Sequence, residues 1–219
     1  MFSGSLQDAI RLARLANDNL VSVGASLGHV HIPGRKISED TVPHDEVEIG
    51  MGIHNEPGSQ RVKANLEDLV SLLLRQLLDS NDPDRGYLGN WSASTDQFVL
   101  LINNLGGLSV LELSGITGEV SAQLEKDYKI RPVRAYQGTF LTSLNSPGFS
   151  ISLLRLADTG LGPGKSMVDF LDAPAEAIGW SAPVHPSTWE LQNYQPVLAE
   201  KVKPAEEVPS NVKGKCVFD

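Results

Sequence analysis

The chain contains five histidines, the residue type best suited to chemistry near neutral pH, and His54 lies in an unusual setting. At an ordinary pKa of about 6.5 a histidine ring is mostly neutral at pH 7, so it can act as a base, a metal ligand or a nucleophile. His54 follows two glycines, Gly50 and Gly52, and precedes the turn-forming residues 55–58 (NEPG). Glycines inside a strand usually mark a place where a ligand or another backbone comes close. This spacing makes His54 the leading candidate for a functional residue.

The element that must position His54 is a strand, which we predict over residues 46–54. Apolar residues alternate along it with small or polar ones: Val47, Ile49, Met51 and Ile53 against Glu46, Glu48, Gly50, Gly52 and His54. Because successive side chains of a strand point to opposite faces, we expect the apolar set to be buried and the other face to be nearly bare. An ordinary strand-end histidine, hydrogen-bonded to the following turn, is the alternative, and spacing alone does not choose between the two.

Two further histidines, His29 and His31, share one face of a segment that we predict to be extended over residues 25–32. A pair at this spacing suggests a metal site. A cupin-like site would also need a glutamate shortly after the second histidine, but Arg35 stands there and the next acid is Glu39. We therefore predict no metal site, and we assign no functional role to His44, which lies in a polar segment.

A second glycine-containing segment, residues 103–107 (NNLGG), connects a predicted strand at 97–103 to a predicted helix at about 109–126. Backbone N–H groups at such a helix start can bind an anion. Two glycines form neither a P-loop nor a dinucleotide fingerprint, since both need further glycines and the P-loop also needs a lysine. Tight packing of helix on strand is the preferred interpretation, and no nucleotide site is predicted here.

The remaining periodic segments predict the elements around this centre. Apolar residues at helical spacing predict helices over 5–20, with room for a further turn, over 66–78 and over 167–171. Extended segments are predicted at 133–136, 138–144 and 149–156, with a hairpin over 140–156. Ser150 lacks the strand-turn-helix setting of a hydrolase nucleophile, so we expect its hydroxyl to face solvent or a cross-strand neighbour.

Composition limits the classes of function. A chain of 219 residues that is 41% apolar can form one domain of ordinary size, which we place at residues 1–193, followed by a proline- and charge-rich linker or tail at 194–219. The formal net charge of -9 argues against nucleic-acid binding. The single cysteine, Cys216, permits no internal disulfide, and neither a membrane span nor a signal peptide is apparent. We expect a cytoplasmic location, with small molecules and proteins as partners.

Four segments resemble dihydroxyacetone kinase, in its substrate-binding domain and most closely in the eukaryotic single-chain type. They are LGHVHIPGRK (27–36), GMGIHNEPG (50–58), LLINNLGGLSVLEL (100–113) and GTFLTSLNSPGFSISLL (138–154). The resemblance covers most of residues 5–180. It implies an α/β fold, a two-layer lobe in which a mixed sheet of about six strands is covered by helices, and the predicted elements are compatible with this fold.

The resemblance also implies a role for the histidine. In that family the histidine of the GIHNEPG motif attacks the ketone carbon of dihydroxyacetone and holds the substrate as a covalent hemiaminal, and His54 occupies this position. Gly52, in the same motif, is expected to contact the substrate. Glu56 or a backbone carbonyl of the turn is a candidate to orient the ring through its other nitrogen.

The family's substrate-binding domain has two lobes, and this chain resembles only the second. ATP and Mg²⁺ are bound in the family by a further helical domain, so we expect both cofactors to be held by a domain absent from this chain. We expect the chain alone not to phosphorylate dihydroxyacetone, and we expect homodimerisation as in the family. The alternative is a non-catalytic ketone-sensing or protein-interaction relative built on the same lobe.

Overall fold

The computed structural model describes residues 4–35, 42–52, 56–180 and 187–188. Within them the chain forms six strands and four helices. The strands are β1 (Leu20–Ser26), β2 (Val47–Ile49), β3 (Gln60–Val62), β4 (Phe98–Asn104), β5 (Arg134–Gly138) and β6 (Gly148–Arg155). The helices are α1 (Leu6–Asp18), α2 (Leu66–Leu78), α3 (Val110–Tyr128) and α4 (Met167–Leu171).

Two compact units divide the chain, Met1–Pro183 and Val184–Asp219. The six strands and four helices named above belong to the first unit, and residues 187–188 of the second are helical. Of the second unit the structure describes only residues 187–188. The domain boundary placed after residue 193 therefore stays a prediction.

The strands form a single sheet in the order β3-β2-β1-β6-β4-β5. β4 and β5 are parallel, and every other neighbouring pair is antiparallel. β1 and β6 pair along their whole length, from Leu20 opposite Leu154 to Ser26 opposite Gly148. The prediction of a mixed sheet of about six strands is confirmed.

The hydrophobic core lies between one face of the sheet and the helices α2 and α3. On α2 the predicted apolar stripe is buried: Leu69, Val70, Leu73, Leu74, Leu77 and Leu78. The facing strand residues are at most 2% exposed: Ile49, Phe98, Leu100, Ile102, Phe149, Ile151 and Leu153. Because burying each such side chain contributes about 1.5–3 kcal/mol, this interface dominates the stability of the two-layer fold.

The centre of the opposite face of the sheet carries small polar side chains. Ser22 of β1 and Ser152 of β6 are directly opposite each other, and their hydroxyl oxygens are 2.7 Å apart. The Ser150 hydroxyl accepts a weak hydrogen bond from Asn103 Nδ2 at 3.4 Å, and these two residues are also cross-strand partners. The expectation that Ser150 meets a cross-strand neighbour is confirmed.

The start of the chain differs from the prediction. α1 ends at Asp18, and Asn19 caps it by donating from Nδ2 to the carbonyl of Leu15. The extended segment therefore begins at Leu20, within the predicted helix, and ends at Ser26, well before residue 32. The physical reason is that the helical spacing stops at Leu20, after which Val21, Val23 and Ala25 alternate, and the whole of β1 pairs with β6.

The predicted hairpin over 140–156 is also wrong. β5 and β6 are not neighbours, since β4 lies between them in the sheet. Residues 139–147, predicted to be mainly extended, form an irregular loop instead. The amide of Asn103 holds this loop: its Oδ1 accepts from the backbone N–H groups of Phe140 and Leu141, and its Nδ2 donates to the Leu141 carbonyl.

Candidate functional site

The segment that carries His54 is a loop between two short strands at the edge of the sheet. β2 ends at Ile49 because Gly50 has φ of +75°, a left-handed conformation that favours glycine and does not continue a strand. The chain returns at Ser59, whose N–H donates to the Ile49 carbonyl at 2.8 Å, and β3 then pairs antiparallel with β2. The predicted strand over 46–54 is thus wrong at Gly50, Met51 and Gly52, and its last two residues, Ile53 and His54, lie outside the described residues.

His54 itself lies outside the described residues, as do Ile53 and Asn55. Its role as nucleophile therefore stays a prediction. The residues on either side of it close a turn, since the N–H of Gly52 donates to the carbonyl of Glu56 at 3.1 Å.

Gly52 is covered by a carboxylate. A Cβ built on Gly52 would lie 2.1 Å from Glu56 Oε2 and 2.9 Å from Glu56 Cδ, so the Glu56 side chain occupies the space over this glycine. The expectation of a bare glycine face is corrected at this position. The predicted orienter of the ring, Glu56, thus packs against Gly52, two residues before His54 in the sequence.

The environment of Glu48 differs most from the prediction. We predicted Glu48 on the bare face of the strand, but only 2% of its surface is exposed. Its Oε1 accepts from the N–H of Gly58 at 2.6 Å, while its Oε2 accepts from Arg61 Nε at 3.1 Å and lies 3.2 Å from His29 Nε2. Burial alone would raise the pKa of Glu48, but these partners outweigh burial and hold the pKa below its ordinary value.

Gly58 allows the end of the loop to pack against β2. A Cβ at this position would lie 2.5 Å from the Ile49 carbonyl oxygen and 2.7 Å from Glu48 Cγ. Only glycine fits such an approach without displacing backbone. The glycine of the NEPG turn is therefore required by contact with β2 and with Glu48, and it is not only a turn former.

A groove of about 490 Å³ runs beside the loop. It follows the first half of β1. This half has no pairing with β2, because the chain turns away from β1 at Gly50. Its lining includes polar and glycine residues from β1 and the loop, together with two residues from the segment after α2: Ser22, Gly24, Gly50, Ser59, Arg85 and Tyr87. The volume is in the range of small-molecule sites.

The other histidines have structural partners or lie at the surface. His29 contacts Glu48, and the backbone N–H of His31 donates to Asn145 Oδ1 at 2.8 Å. Both lie after the end of β1, so they do not share a strand face as predicted. Over residues 4–35, 42–52 and 56–180, no group of three or more His, Cys, Asp or Glu side chains is arranged to hold a metal ion.

The central glycine turn is filled by the protein's own side chains. Asn104 Oδ1 accepts from the N–H groups of Gly106 and Leu108, and its Nδ2 donates to the Leu108 carbonyl. At the start of α3 the Glu112 carboxylate accepts from the N–H and the hydroxyl of Ser109, and these bonds lower the pKa of Glu112. The Glu112 carboxylate therefore already occupies the position where an anion would bind. This supports the interpretation that the turn serves the packing of helix on strand.

Within the part of the chain that the structure describes, no helix combines the length and the apolar character needed to cross a membrane.

The fold and the loop define an α/β domain with an open mixed sheet, helices packed on one face and a glycine-containing loop at the edge. The model of the Dak1 domain matches residues 3–179. The chain belongs to the Dak1 domain family.

The similar curated proteins are much longer than this chain. The dihydroxyacetone kinase of Pichia angusta is 44% identical over 201 residues, which cover 86% of this chain and 32% of that protein. The dihydroxyacetone kinase of Komagataella pastoris is 46% identical over 189 residues, covering 80% and 30%. The chain thus spans about a third of the length of these relatives.

Solved structures agree with the family. The native dihydroxyacetone kinase of C. freundii is similar with a TM-score of 0.65 and 27% identity, covering 84% of this chain and 30% of the kinase. A structure described as regulation of the DHA operon of Lactococcus lactis matches with a TM-score of 0.62 and 24% identity, which shows the fold alone.

Proposed function

We propose that this chain is the second substrate-binding lobe of a dihydroxyacetone kinase, and that it holds dihydroxyacetone covalently on His54 for phosphorylation by ATP. The observation that carries the proposal is the Dak1 match over residues 3–179, which includes the whole GMGIHNEPG segment. The identity of 44% to a dihydroxyacetone kinase over most of the chain supports the same substrate.

The proposed step is addition of an imidazole nitrogen to a ketone. The lone pair of the unprotonated ring nitrogen of His54 forms a bond to the carbonyl carbon, and the C=O π electrons move to the oxygen. The other ring nitrogen releases its proton and the new oxyanion takes up a proton, so the product is a neutral hemiaminal with no atom lost. Glycerol has no carbonyl, so bond formation would itself select the ketone.

The neighbouring residues have supporting roles in this proposal. Gly52 leaves the backbone open to close approach by a three-carbon substrate, provided that the Glu56 side chain moves away from it. Glu56 is an exposed carboxylate on the turn that holds His54, so it is suited to accept a hydrogen bond from the ring. The loop would then supply both the nucleophile and its orienting group.

The described residues of this chain do not fit ATP or Mg²⁺. The start of α3, the best candidate for a phosphate site, is occupied by the Glu112 carboxylate. The C. freundii kinase has been solved in complex with AMP-PNP and Mg²⁺, and this chain matches 30% of that protein. We therefore assign ATP and Mg²⁺ to a domain outside this chain.

The surface of α1 supports a partner lobe or subunit. None of the residues of α1, all of which the structure describes, is buried. Leu6 and Ile10 are 74% and 37% exposed on this amphipathic helix. Unpaired apolar surface of this kind suits contact with the first lobe or with a second copy, so we include both the first lobe and a homodimer in the proposal, with a cytoplasmic location.

The test is direct observation of the adduct in a protein that contains both lobes. Dihydroxyacetone labelled with ¹³C at the carbonyl should give a tetrahedral carbon signal in place of the ketone signal. Replacing His54 with asparagine should abolish that signal, whereas replacing His31 or His44 should leave it intact. An adduct that survives loss of His54 would refute the assignment.

Complementation distinguishes a kinase from the alternative, a non-catalytic ketone-sensing or protein-interaction relative. Addition of the missing lobe and the ATP-binding domain in trans should restore phosphorylation if the chain is part of a kinase. An adduct without phosphorylation under those conditions would favour the sensing relative.

A further inference from the structure

Glu48 joins three segments that are far apart in sequence. Its carboxylate contacts His29, which follows β1, Gly58, which ends the loop, and Arg61, which lies directly opposite it on β3. The side chain of Glu48 is 3% exposed, while those of His29 and Arg61 are 13% and 34% exposed. A buried carboxylate is costly unless its oxygens are paired, and here both are.

The loop is anchored at both ends, and Glu48 provides the second anchor. At its start, the N–H of Gly50 donates to the Gly24 carbonyl at 2.8 Å, immediately after Glu48 and Ile49. At its end, the N–H of Gly58 donates to Glu48 Oε1 at 2.6 Å, the shortest of the bonds to this carboxylate. Residues 51–57 therefore span two anchored points, and the anchor at the end of the loop is a charge-assisted hydrogen bond.

We propose that Glu48 is a positioning residue, supported by Arg61 and His29, that fixes Gly58 at the end of loop 50–58, and that adduct formation at His54 depends on this anchor. The proposal rests on the proposed function, because it assigns the purpose of the anchor to the reaction of His54. Glu48 does not contact the substrate in this proposal. It acts through the loop.

A second ion pair on the same hairpin provides a matched control. Lys63 Nζ lies 2.5 Å from Asp45 Oδ2, with side chains that are 66% and 65% exposed. These residues flank β3 and β2, so the pair joins the same two strands outside the loop. Asp45→Asn makes the same carboxylate-to-amide change as Glu48→Gln.

The first measurement is hydrogen exchange of the backbone amides in the 219-residue chain. Glu48→Gln should lower the protection of the Gly58 amide by about tenfold or more, because a hydrogen bond to a charged group is replaced by one to a neutral group. Amides of the central strands β4 and β6 should keep their protection, and Asp45→Asn should change neither set. Unchanged protection at Gly58 in Glu48→Gln would overturn the proposal.

The second measurement is the tetrahedral carbon signal of the ketone adduct in the two-lobed protein. Glu48→Gln should weaken adduct formation by about tenfold, in parallel with the loss of loop protection, while Asp45→Asn should not. If Glu48→Gln does not fold, Arg61→Gln serves instead, since it keeps the carboxylate and removes its cation. A loosened loop with wild-type adduct formation would leave Glu48 a purely structural residue and overturn the proposal.

The two measurements separate failure of this proposal from failure of the proposed function. If the unmodified protein forms no adduct, the function assigned to His54 fails and the positioning role fails with it. The exchange data then still show whether Glu48 anchors the loop.

Discussion

The two glycine-containing turns of this domain, loop 50–58 at the edge of the sheet and turn 104–107 at its centre, are held by different kinds of interaction. The central turn is held by neutral groups, chiefly the side-chain amide of Asn104, which bonds to Gly106 and Leu108. The end of the edge loop at Gly58 is held by the carboxylate of Glu48. The central turn thus depends little on pH, whereas the end of the edge loop depends on the charge of one residue.

The glycines of the two turns also have different neighbours. A Cβ on Gly107 would lie 2.6 Å from the backbone nitrogen of Pro147 and 2.7 Å from the Asn145 carbonyl oxygen. A Cβ on Gly52 would lie 2.1 Å from Glu56 Oε2, at the end of a side chain that can rotate away, and 3.0 Å from Glu56 Cβ. The central turn is therefore fixed by backbone packing. At Gly52 the edge loop can adjust locally, as a segment that contacts a ligand must, whereas at Gly58 it is packed against the backbone carbonyl of Ile49.

The largest expected effect comes from Gly107→Ala, because the added methyl group would displace the backbone of the 139–147 loop. We expect the free energy of unfolding to fall by about 1–3 kcal/mol, measured by denaturant titration. Gly118→Ala is the control: Gly118 lies in the interior of α3 with no atom within 4 Å of an added Cβ. That change should stabilise the protein by about 0.5–1 kcal/mol. Equal stability of the two variants would show that the backbone contacts at Gly107 do not fix the central turn.

An intermediate effect is expected from acid pH, and it tests the charge on which the comparison rests. The pKa of Glu48 in the folded protein lies below the ordinary value of 4.5. The stabilisation from its charge is therefore fully present above about 4.5 and is lost as pH falls through the lower folded value. The protection factor of the Gly58 amide should then fall by about tenfold.

The same experiment includes an internal reference, the amide of Gly106. The Gly106 amide donates to the neutral Asn104 Oδ1, so its protection factor should stay constant over this pH range. In Glu48→Gln the pH dependence at Gly58 should disappear. Parallel loss at Gly58 and Gly106 would show global acid unfolding and would contradict a local switch in the edge loop.

The smallest effect on stability is expected from Gly52→Ala. The Glu56 side chain must leave its position over Gly52, which costs about 1 kcal/mol or less, and the loss of glycine freedom in the unfolded chain offsets part of this cost. Thermal unfolding should therefore change far less than in Gly107→Ala. A destabilisation as large as that of Gly107→Ala would show that the edge loop is as rigidly packed as the centre.

The periodicity of the sequence correctly predicted two kinds of element. These are elements stabilised mainly by local interactions and elements that carry a long apolar stripe. The helix over 66–78 and the short helix over 167–171 match α2 and α4, and the helix at about 109–126 matches α3. β4 begins and ends within one residue of the predicted strand. In each of these cases helical or strand periodicity and the burial required by the core favour the same structure.

The errors occur where sheet pairing decides the conformation. Residues 20–24 were not predicted as a strand, although Val21, Val23 and Ala25 alternate along the chain, and they belong to β1 because β6 pairs with it throughout. Residues 149–156 were placed next to the preceding strand, but the sheet inserts β4 between them. Strand order depends on contacts between distant segments, and no pattern within a short window contains that information.

The sequence by itself determined the family, the mixed α/β class and the motif around His54, because these reside in residues adjacent along the chain. Only the tertiary structure decided the environment of Glu48. Its partners come from positions 29, 58 and 61, which the antiparallel pairing of β2 with β1 and β3 brings together. An acidic residue in an alternating strand is ordinarily solvent-exposed, and it becomes a buried anchor only when other segments supply the donors that offset its loss of water.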